Sequence, residues 1–316
     1  MTINIRQLRV DAQNTLMPQL NAARRLVLIS QGVIFGVNLL LSLLEVLLEL
    51  MMDSNAGLSG MALRSVLSTV TALSSLAASF LIPFWSIGLT FAFLHIARQQ
   101  TPETGALLEG FNRFGPFLRY SLLKVLIITG VTFGVCYLFM VLVSFLPTNP
   151  ELTAIILENQ DAFLADPEAT LAQFPRHLLL EAMLPGLLIL AALLLVVMVP
   201  LMYRLQLGDY AIMDKPGTGA FAAISFSMRT MKGNCWKAFK LDLHFWWYGL
   251  ATGALVALSQ LDTILPALGV ALPVTNSISH LICYALYAAG ALVFNWYFMP
   301  LVQTTYTKFY LTLKGE

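Results

Sequence analysis

Apolar residues in this chain come in long runs interrupted by short polar stretches, with little strict alternation. A helix crossing about 30 Å of hydrocarbon needs roughly 17–25 mostly apolar residues, so the long runs are counted as spans. Six qualify: Leu26–Met51, Phe80–Ile96, Phe117–Leu142, Leu184–Met202, Leu241–Leu258 and Ile278–Tyr297. Barrel-type alternation is missing, and backbone in lipid must satisfy its own hydrogen bonds, so the runs predict helices. The expected fold is all-α and polytopic, with six transmembrane helices in three hairpins and amphipathic helices on the inner surface.

The stretch from Met61 to Arg98 needs a separate reading, because as one helix it would be about 57 Å long, more than one straight crossing uses. Pro83 falls where a break is expected. The reading is an outer interfacial or re-entrant helix over 61–79 and a crossing from Phe80 onward, with one long kinked helix as the other arrangement. The rest divides into an amphipathic cytoplasmic segment 1–25, a membrane domain 26–306 and a cytoplasmic tail 307–316. Residues 144–183 form an acidic outer insertion, where Asn149-Pro150-Glu151 and Asp166-Pro167-Glu168 predict two short helices.

Charge fixes the orientation. Of 18 Lys and Arg residues only Arg64 and Arg176 fall on one side of the predicted spans. The basic side is the inner one, so both termini are cytoplasmic. Composition agrees with a bilayer: 58 % of residues are hydrophobic and only 11 % charged, against about 25 % charged in soluble domains. A soluble enzyme and a nucleic-acid partner are thereby disfavoured. The three cysteines, Cys136, Cys235 and Cys283, show no disulfide or zinc spacing. The apolar run after Arg25 is about twice a signal-peptide core and reads as an uncleaved first span.

Two inner loops repeat. Pro102-Glu103-Thr104-Gly105-Ala106 matches Pro216-Gly217-Thr218-Gly219-Ala220, and each leads through an amphipathic stretch to a glycine, an aromatic, basic residues and a new span. The N-terminal segment, with Ile5, Leu8, Ala12 and Leu16 on one face, reads as a degenerate third copy. In the second copy Gly233 suits a helix C′ position and Asn234 the cap of the next helix. Trp236 and Phe239 belong at headgroup depth, and Lys232, Lys237 and Lys240 face anionic lipid, with Asp242 beside them. Anchoring explains this surface; a lipid-headgroup site is the functional alternative.

Two polar stripes run inside the spans. Asn38, Ser42, Glu45 and Glu49 recur at helical spacing on the first, with Gln31 further inward; His280, Tyr284, Tyr287, Ala291 and Asn295 recur on the sixth. Ionisable groups in spans usually face protein or a wet cavity. Either the stripes form a packed polar seam whose acids pair with Arg64, or they line an outward cavity for a cation or proton.

Catalytic motifs are missing from the sequence: there is no HExxH, GxSxG or Walker loop. No cofactor or metal is implied, and the expected partners are membrane lipids, with a partner protein or a second copy of the chain.

Three stretches carry a family likeness: Ser227–Leu243, read as Ser-x-x-x-Met-Lys-Gly-Asn-x-Trp-Lys-x-Phe-x-Leu-Asp-Leu; Glu109–Phe114; and Pro300–Tyr310. The chain resembles a bacterial six-span family of unknown function common in Firmicutes, itself similar to the membrane domain of some glycerophosphodiester phosphodiesterases. The resemblance implies topology and a bacterial plasma-membrane location, and no reaction. The chain departs from that pattern at His244-Phe245-Trp246-Trp247-Tyr248, where the family often has Ser-Phe-Ile-Gly-Trp. The function expected is that of a non-enzymatic lipid- or partner-binding membrane protein, with a small-solute or ion transporter as the alternative.

Overall fold

The computed structural model describes residues 4–53, 58–144, 176–267 and 276–316. Among these, every regular element is helical: α1 Ile5–Leu16, a 3-10 turn Met17–Gln19, α2 Leu20–Asp53, α3 Leu58–Ala97, a 3-10 turn Thr104–Leu108, α4 Glu109–Asn112, α5 Phe114–Val143, α6 Arg176–Leu205, α7 Gly208–Asp214, α8 Ala220–Met231, α9 Cys235–His244, α10 Trp246–Ser259, α11 Leu261–Ala267 and α12 Asn276–Lys314. Five helical stretches among the described residues are long and apolar enough to cross a membrane: Ile5–Leu44, Ser68–Ala97, Phe114–Val143, Leu184–Asp214 and Ile278–Lys314.

Several boundaries differ from the sequence reading. The region 61–79 is neither re-entrant nor a separate helix, because α3 runs through it and through Pro83 without a break. A proline removes a single N–H donor, which a long apolar helix tolerates. The run Leu241–Leu258 is divided instead: α9 stops at His244, Phe245 leaves the helical region at φ −106° and ψ 19°, and α10 begins at Trp246. Phe245 is buried there, with its ring beside Tyr306. At 14 residues α10 is about 21 Å long, and it continues past Gln260 into α11. The two outer helices expected from the capping prolines lie outside the described residues.

The described chain forms two compact units, 1–120 with 207–316, and 121–206. In the first, α12 packs along α2, and α2 packs on α3. Its core joins Leu16, Leu26 and Val27 to Leu89, Phe93 and Leu107. The expected tail is part of this core, because α12 runs unbroken to Lys314 and Phe309, Tyr310 and Leu311 are buried. Thr304, Thr305 and Thr307 are also fully buried there, and each donates its hydroxyl to the carbonyl four residues back. The N-terminal helix also packs on this unit. Its Leu8, Ala12 and Leu16 face α12, α3 and α9, while Arg6, Gln7 and Asn14 face outward.

In the second unit α5 and α6 pair antiparallel: the Thr132 hydroxyl lies 3.9 Å from Met198 Sδ, and Gly186 sits against Phe139 and Val143. Leu126, Phe133, Tyr137 and Val196 are exposed on their outer sides.

Candidate functional site

The chain leaves α3 through a tight cap. Gln99, at φ 61°, lets the Gln100 N–H reach the His95 carbonyl at 2.9 Å and the Gln99 N–H reach that of Ile96 at 2.9 Å. Arg98 therefore ends α3 with its side chain on the last residue of α7. Arg98 Nη2 lies 2.6 Å from Asp214 Oδ1 and 2.8 Å from Glu316 Oε2. The other oxygen of Asp214 takes Lys314 Nζ at 2.7 Å and the Tyr310 hydroxyl at 2.8 Å, and Lys314 also pairs with Glu316. The Asp214 carboxylate is 2 % exposed, a burial that only such partners make tolerable. Arg113 completes the junction by donating to the Ile212 carbonyl at 3.1 Å and that of Met213 at 2.7 Å, while its Nε bonds Glu109 at 2.9 Å. Three cations, Arg98, Lys314 and Arg113, thus meet the negative end of α7, where a carboxylate alone would oppose the helix dipole.

This cluster joins the ends of α3, α7 and α12, three segments far apart in sequence. Each oxygen of Asp214 has a donor, so the arrangement is a tie and offers no base or nucleophile. Asp214 pairs with the distant Lys314 and not with its neighbour Lys215, which is exposed. Asp242 is likewise bonded from Tyr306 of α12.

The segment α8–α9 shows a different chemistry. Gly233 has φ +82° with open space around it, so the left-handed turn after α8 is what asks for glycine. Asn234 occupies the position before α9, but its side chain does not cap that helix. Its amide donates back to the Thr230 carbonyl at 2.8 Å and its oxygen accepts from Lys237 at 2.8 Å. On α9, Ala238 and Leu241 are buried, whereas Trp236 (63 % exposed), Phe239, Lys240 and Leu243 form the outer face. Trp236 and Phe239 stack with centroids 5.0 Å apart, and Lys240 Nζ stands 5.7 Å from the indole centroid. Lys232 and Arg229 are exposed at the end of α8, with Phe221 and Met228 exposed along it.

The two intramembrane stripes meet in part. The Asn295 amide donates to Gln31 Oε1 at 3.3 Å, and Tyr248 donates to Asn295 Oδ1 at 2.8 Å, linking α2, α12 and α10. Tyr287 packs edge-on against Phe35 and Tyr284, beside Ala288 and Ala291. Asn38 turns its amide onto the Ile34 carbonyl of its own helix, and Ser42 is half-buried. His280 pairs with Asp262 of α11 at 3.0 Å. Glu45 and Glu49 lie on α2, but their side chains and that of Arg64 lie outside the described residues. Among the described residues no group of three or more His, Cys, Asp or Glu could hold a metal ion.

Sequence reading missed Tyr248 and the long-range tie of Arg98 to Asp214. Polar residues flanking a span were the one available signal, and they do not reveal partners across the chain.

One family, described as Protein of unknown function (DUF975), matches residues 1–316. The chain belongs to it. No curated protein and no solved structure matches the chain.

One contact in this DUF975 chain carries a pH prediction. Arg9 Nη1 lies 3.1 Å from His244 Nε2, joining α1 to α9. A guanidinium only donates, so Nε2 must hold a lone pair and the imidazole is neutral. Burial first, then the charges of Arg9 and Arg6, holds the His244 pKa below its ordinary 6.5. The unfolded chain takes up this proton near 6.5 and the folded chain only at lower pH. The stability of the contact is therefore complete above 6.5 and is lost as pH falls through the folded value. The protection of α1 amides, taken relative to the intrinsic exchange rate at each pH, is expected to fall between pH 7.5 and pH 5, and His244→Gln, which accepts from Arg9 without titrating, removes that step.

Proposed function

We propose that this chain is a non-enzymatic membrane protein that binds lipid at its inner surface. In this reading it crosses a bacterial plasma membrane six times as three hairpins, with α10 and α11 supplying the remaining crossing and both termini cytoplasmic. The observation that carries the proposal is the outer face of α9. A helix that buries Ala238 and Leu241 and turns Trp236, Phe239, Lys240 and Leu243 outward has the composition of an element lying in a headgroup layer. Lys232 and Lys240 are the exposed cations that would meet anionic headgroups. Each such lysine contributes about 1 kcal/mol, so Lys232→Gln with Lys240→Gln is expected to weaken retention of phosphatidylglycerol roughly thirtyfold. Native mass spectrometry of the chain released from mixed-lipid nanodiscs measures this; equal retention by both proteins overturns the assignment.

Transport of a small solute or ion is the second reading, favoured by the polar line Gln31–Asn295–Tyr248 through three helices. It would use Asn38, Ser42, Glu45 and Glu49 as an outward cavity. Single cysteines at those four positions, in a chain with its native cysteines replaced by serine, separate the readings. Labelling by an impermeant reagent down to position 38 favours transport, and labelling that stops at 49 favours a closed seam. The likeness to phosphodiesterase membrane domains adds no reaction to either reading.

A further inference from the structure

Several arginines of the first unit have partners: Arg98 lies on Asp214 and Glu316, Arg113 on Glu109, and Arg24 on the rings of Trp296 and Tyr297, each 4.8 Å away. The seam between α1 and α9 differs. Arg9 Nη1 meets a ring nitrogen there, His244 Nε2, at 3.1 Å, and Arg6 stands three residues back on the same side of α1. A guanidinium carries five N–H donors, and among the described residues that of Arg9 has this one acceptor and that of Arg6 has none. Nor does a carboxylate pair with either arginine or with His244 among those residues. Asp242, the acid of α9, is bonded from Tyr306, and Asp11, the acid of α1, is two residues from Arg9, a spacing that does not share a face. Lys240, one turn before His244, leans the other way, with Nζ 5.7 Å from the Trp236 centroid. Burial first, then the charges of Arg9 and Arg6, disfavours the cationic form of His244. Arg6 is exposed, and Arg9 and His244 are half-buried, so the seam opens to the surface.

We propose that the seam of α1 and α9 binds a phosphomonoester, held by Arg9, Arg6 and His244. The inference rests on the reading of α9 as an inner-surface element and deepens it, because it names the group bound and adds α1 to the binding surface. Three properties of that group match the seam. It carries close to two negative charges at pH 7, the charge that two guanidiniums neutralise. Its three terminal oxygens give each of the three side chains an acceptor, and an arginine fork suits phosphate geometry. A dianion in front of His244 also reverses the effect of the arginines on the ring: the imidazolium becomes favoured, and Nε2 turns from acceptor of Arg9 into a third donor. A phosphodiester or a carboxylate brings one charge and two free oxygens, which the arginines alone satisfy. The terminal phosphate can come from a lipid headgroup of the phosphatidic acid type or from a water-soluble ester, and both present the same chemistry.

The test uses the full chain in phosphatidylcholine nanodiscs, in two arms. In one, equal small amounts of phosphatidic acid and phosphatidylglycerol are included, and the lipids retained are counted by native mass spectrometry. In the other, glycerol phosphate is titrated in while the ring signals of isotope-labelled histidine are followed; the chain has four histidines, and His244→Gln assigns the one that matters. Retention of phosphatidic acid about tenfold over phosphatidylglycerol places the monoester on a lipid. A saturable shift of the His244 signal toward imidazolium places it on a soluble ester. Either result supports the site, and Arg9→Gln is expected to weaken the binding found about tenfold, the loss of one charge-assisted hydrogen bond. Arg6 is exposed, so Arg6→Gln leaves the packing alone; its expected loss of about threefold keeps the test decisive if Arg9→Gln does not fold. Arg25→Gln, at an exposed arginine of α2, is the control and changes neither arm. No preference for a monoester in either arm, or a preference that survives Arg6→Gln in a folded chain, overturns the proposal. If phosphatidylglycerol retention still falls in Lys232→Gln with Lys240→Gln, that failure is of the seam alone. Retention indifferent to the two lysines defeats the headgroup-layer reading of α9, while a monoester preference lost in Arg9→Gln still supports the seam.

Discussion

Gly110→Ala is expected to cost the fold about 3 kcal/mol, the upper end of the usual penalty for inserting a methyl into a packed interior. A Cβ at Gly110 would stand 1.9 Å from the Phe84 carbonyl oxygen, and one at Gly88 would stand 2.0 Å from the Leu107 carbonyl oxygen. Both obstacles are backbone, so no side-chain rotation relieves them. The two glycines interlock: one lets α3 approach the 3-10 turn and the other lets α4 approach α3. Phe84 then stacks on Phe114 at 4.6 Å and meets Phe117 edge-on at 5.0 Å. Losing the approach also loosens that aromatic group, and Gly88→Ala is expected to do the same. Gly105→Ala and Gly115→Ala are the controls, since nothing lies within 4 Å of either added methyl and neither has a positive φ. Unfolding midpoints in a fixed detergent decide the matter: equal midpoints for Gly110→Ala and Gly105→Ala would show that the α3–α4 approach is looser than described.

Asp214→Ala is the second large loss, also about 3 kcal/mol. Removing one partner of a buried ion cluster costs about 3–5 kcal/mol, and the lower end applies because Arg98 and Lys314 keep access to water. The alanine variant leaves two cations facing each other with only Glu316 between them, and the Tyr310 hydroxyl loses its acceptor. Asp214→Asn should fall between the two, because an amide oxygen still accepts from Tyr310 or Lys314 while the charge is gone. The expected sign is faster hydrogen exchange from Thr304 to Lys314 in the alanine variant, with α5 and α6 unchanged. An exchange pattern identical to the native chain would mean that apolar packing of Phe309 and Leu311 alone fixes that end.

The long apolar helices were legible because one property, the length of an apolar run, decides them. Breaks inside the runs were not. Pro83 looked like a stop and is not one, since a helix gives up one hydrogen bond there and keeps its packing on both sides. Phe245 looked like an ordinary position near the start of a span and ends a helix, because its ring is buried beside Tyr306, a partner 61 residues away. The site divides in the same way. Gly233 and the outward Trp236 follow from local rules of turns and amphipathic faces, and both are found. Asn234 also obeys a local rule, but Lys237 competes for its oxygen and Thr230 for its amide. The ties of Asp214 were not legible, because only the fold brings Arg98 and Lys314 to it.

The 39 residues of α12 make a rod of about 58 Å, nearly twice the roughly 30 Å of hydrocarbon, and its C-terminal end is fastened through Asp214 to α3 and α7. A rod of that length is also a pointer. Tilting it by about 10° about its N-terminal end carries Lys314 sideways by about 10 Å, so a bilayer thin enough to change the tilt displaces whatever is tied to the other end.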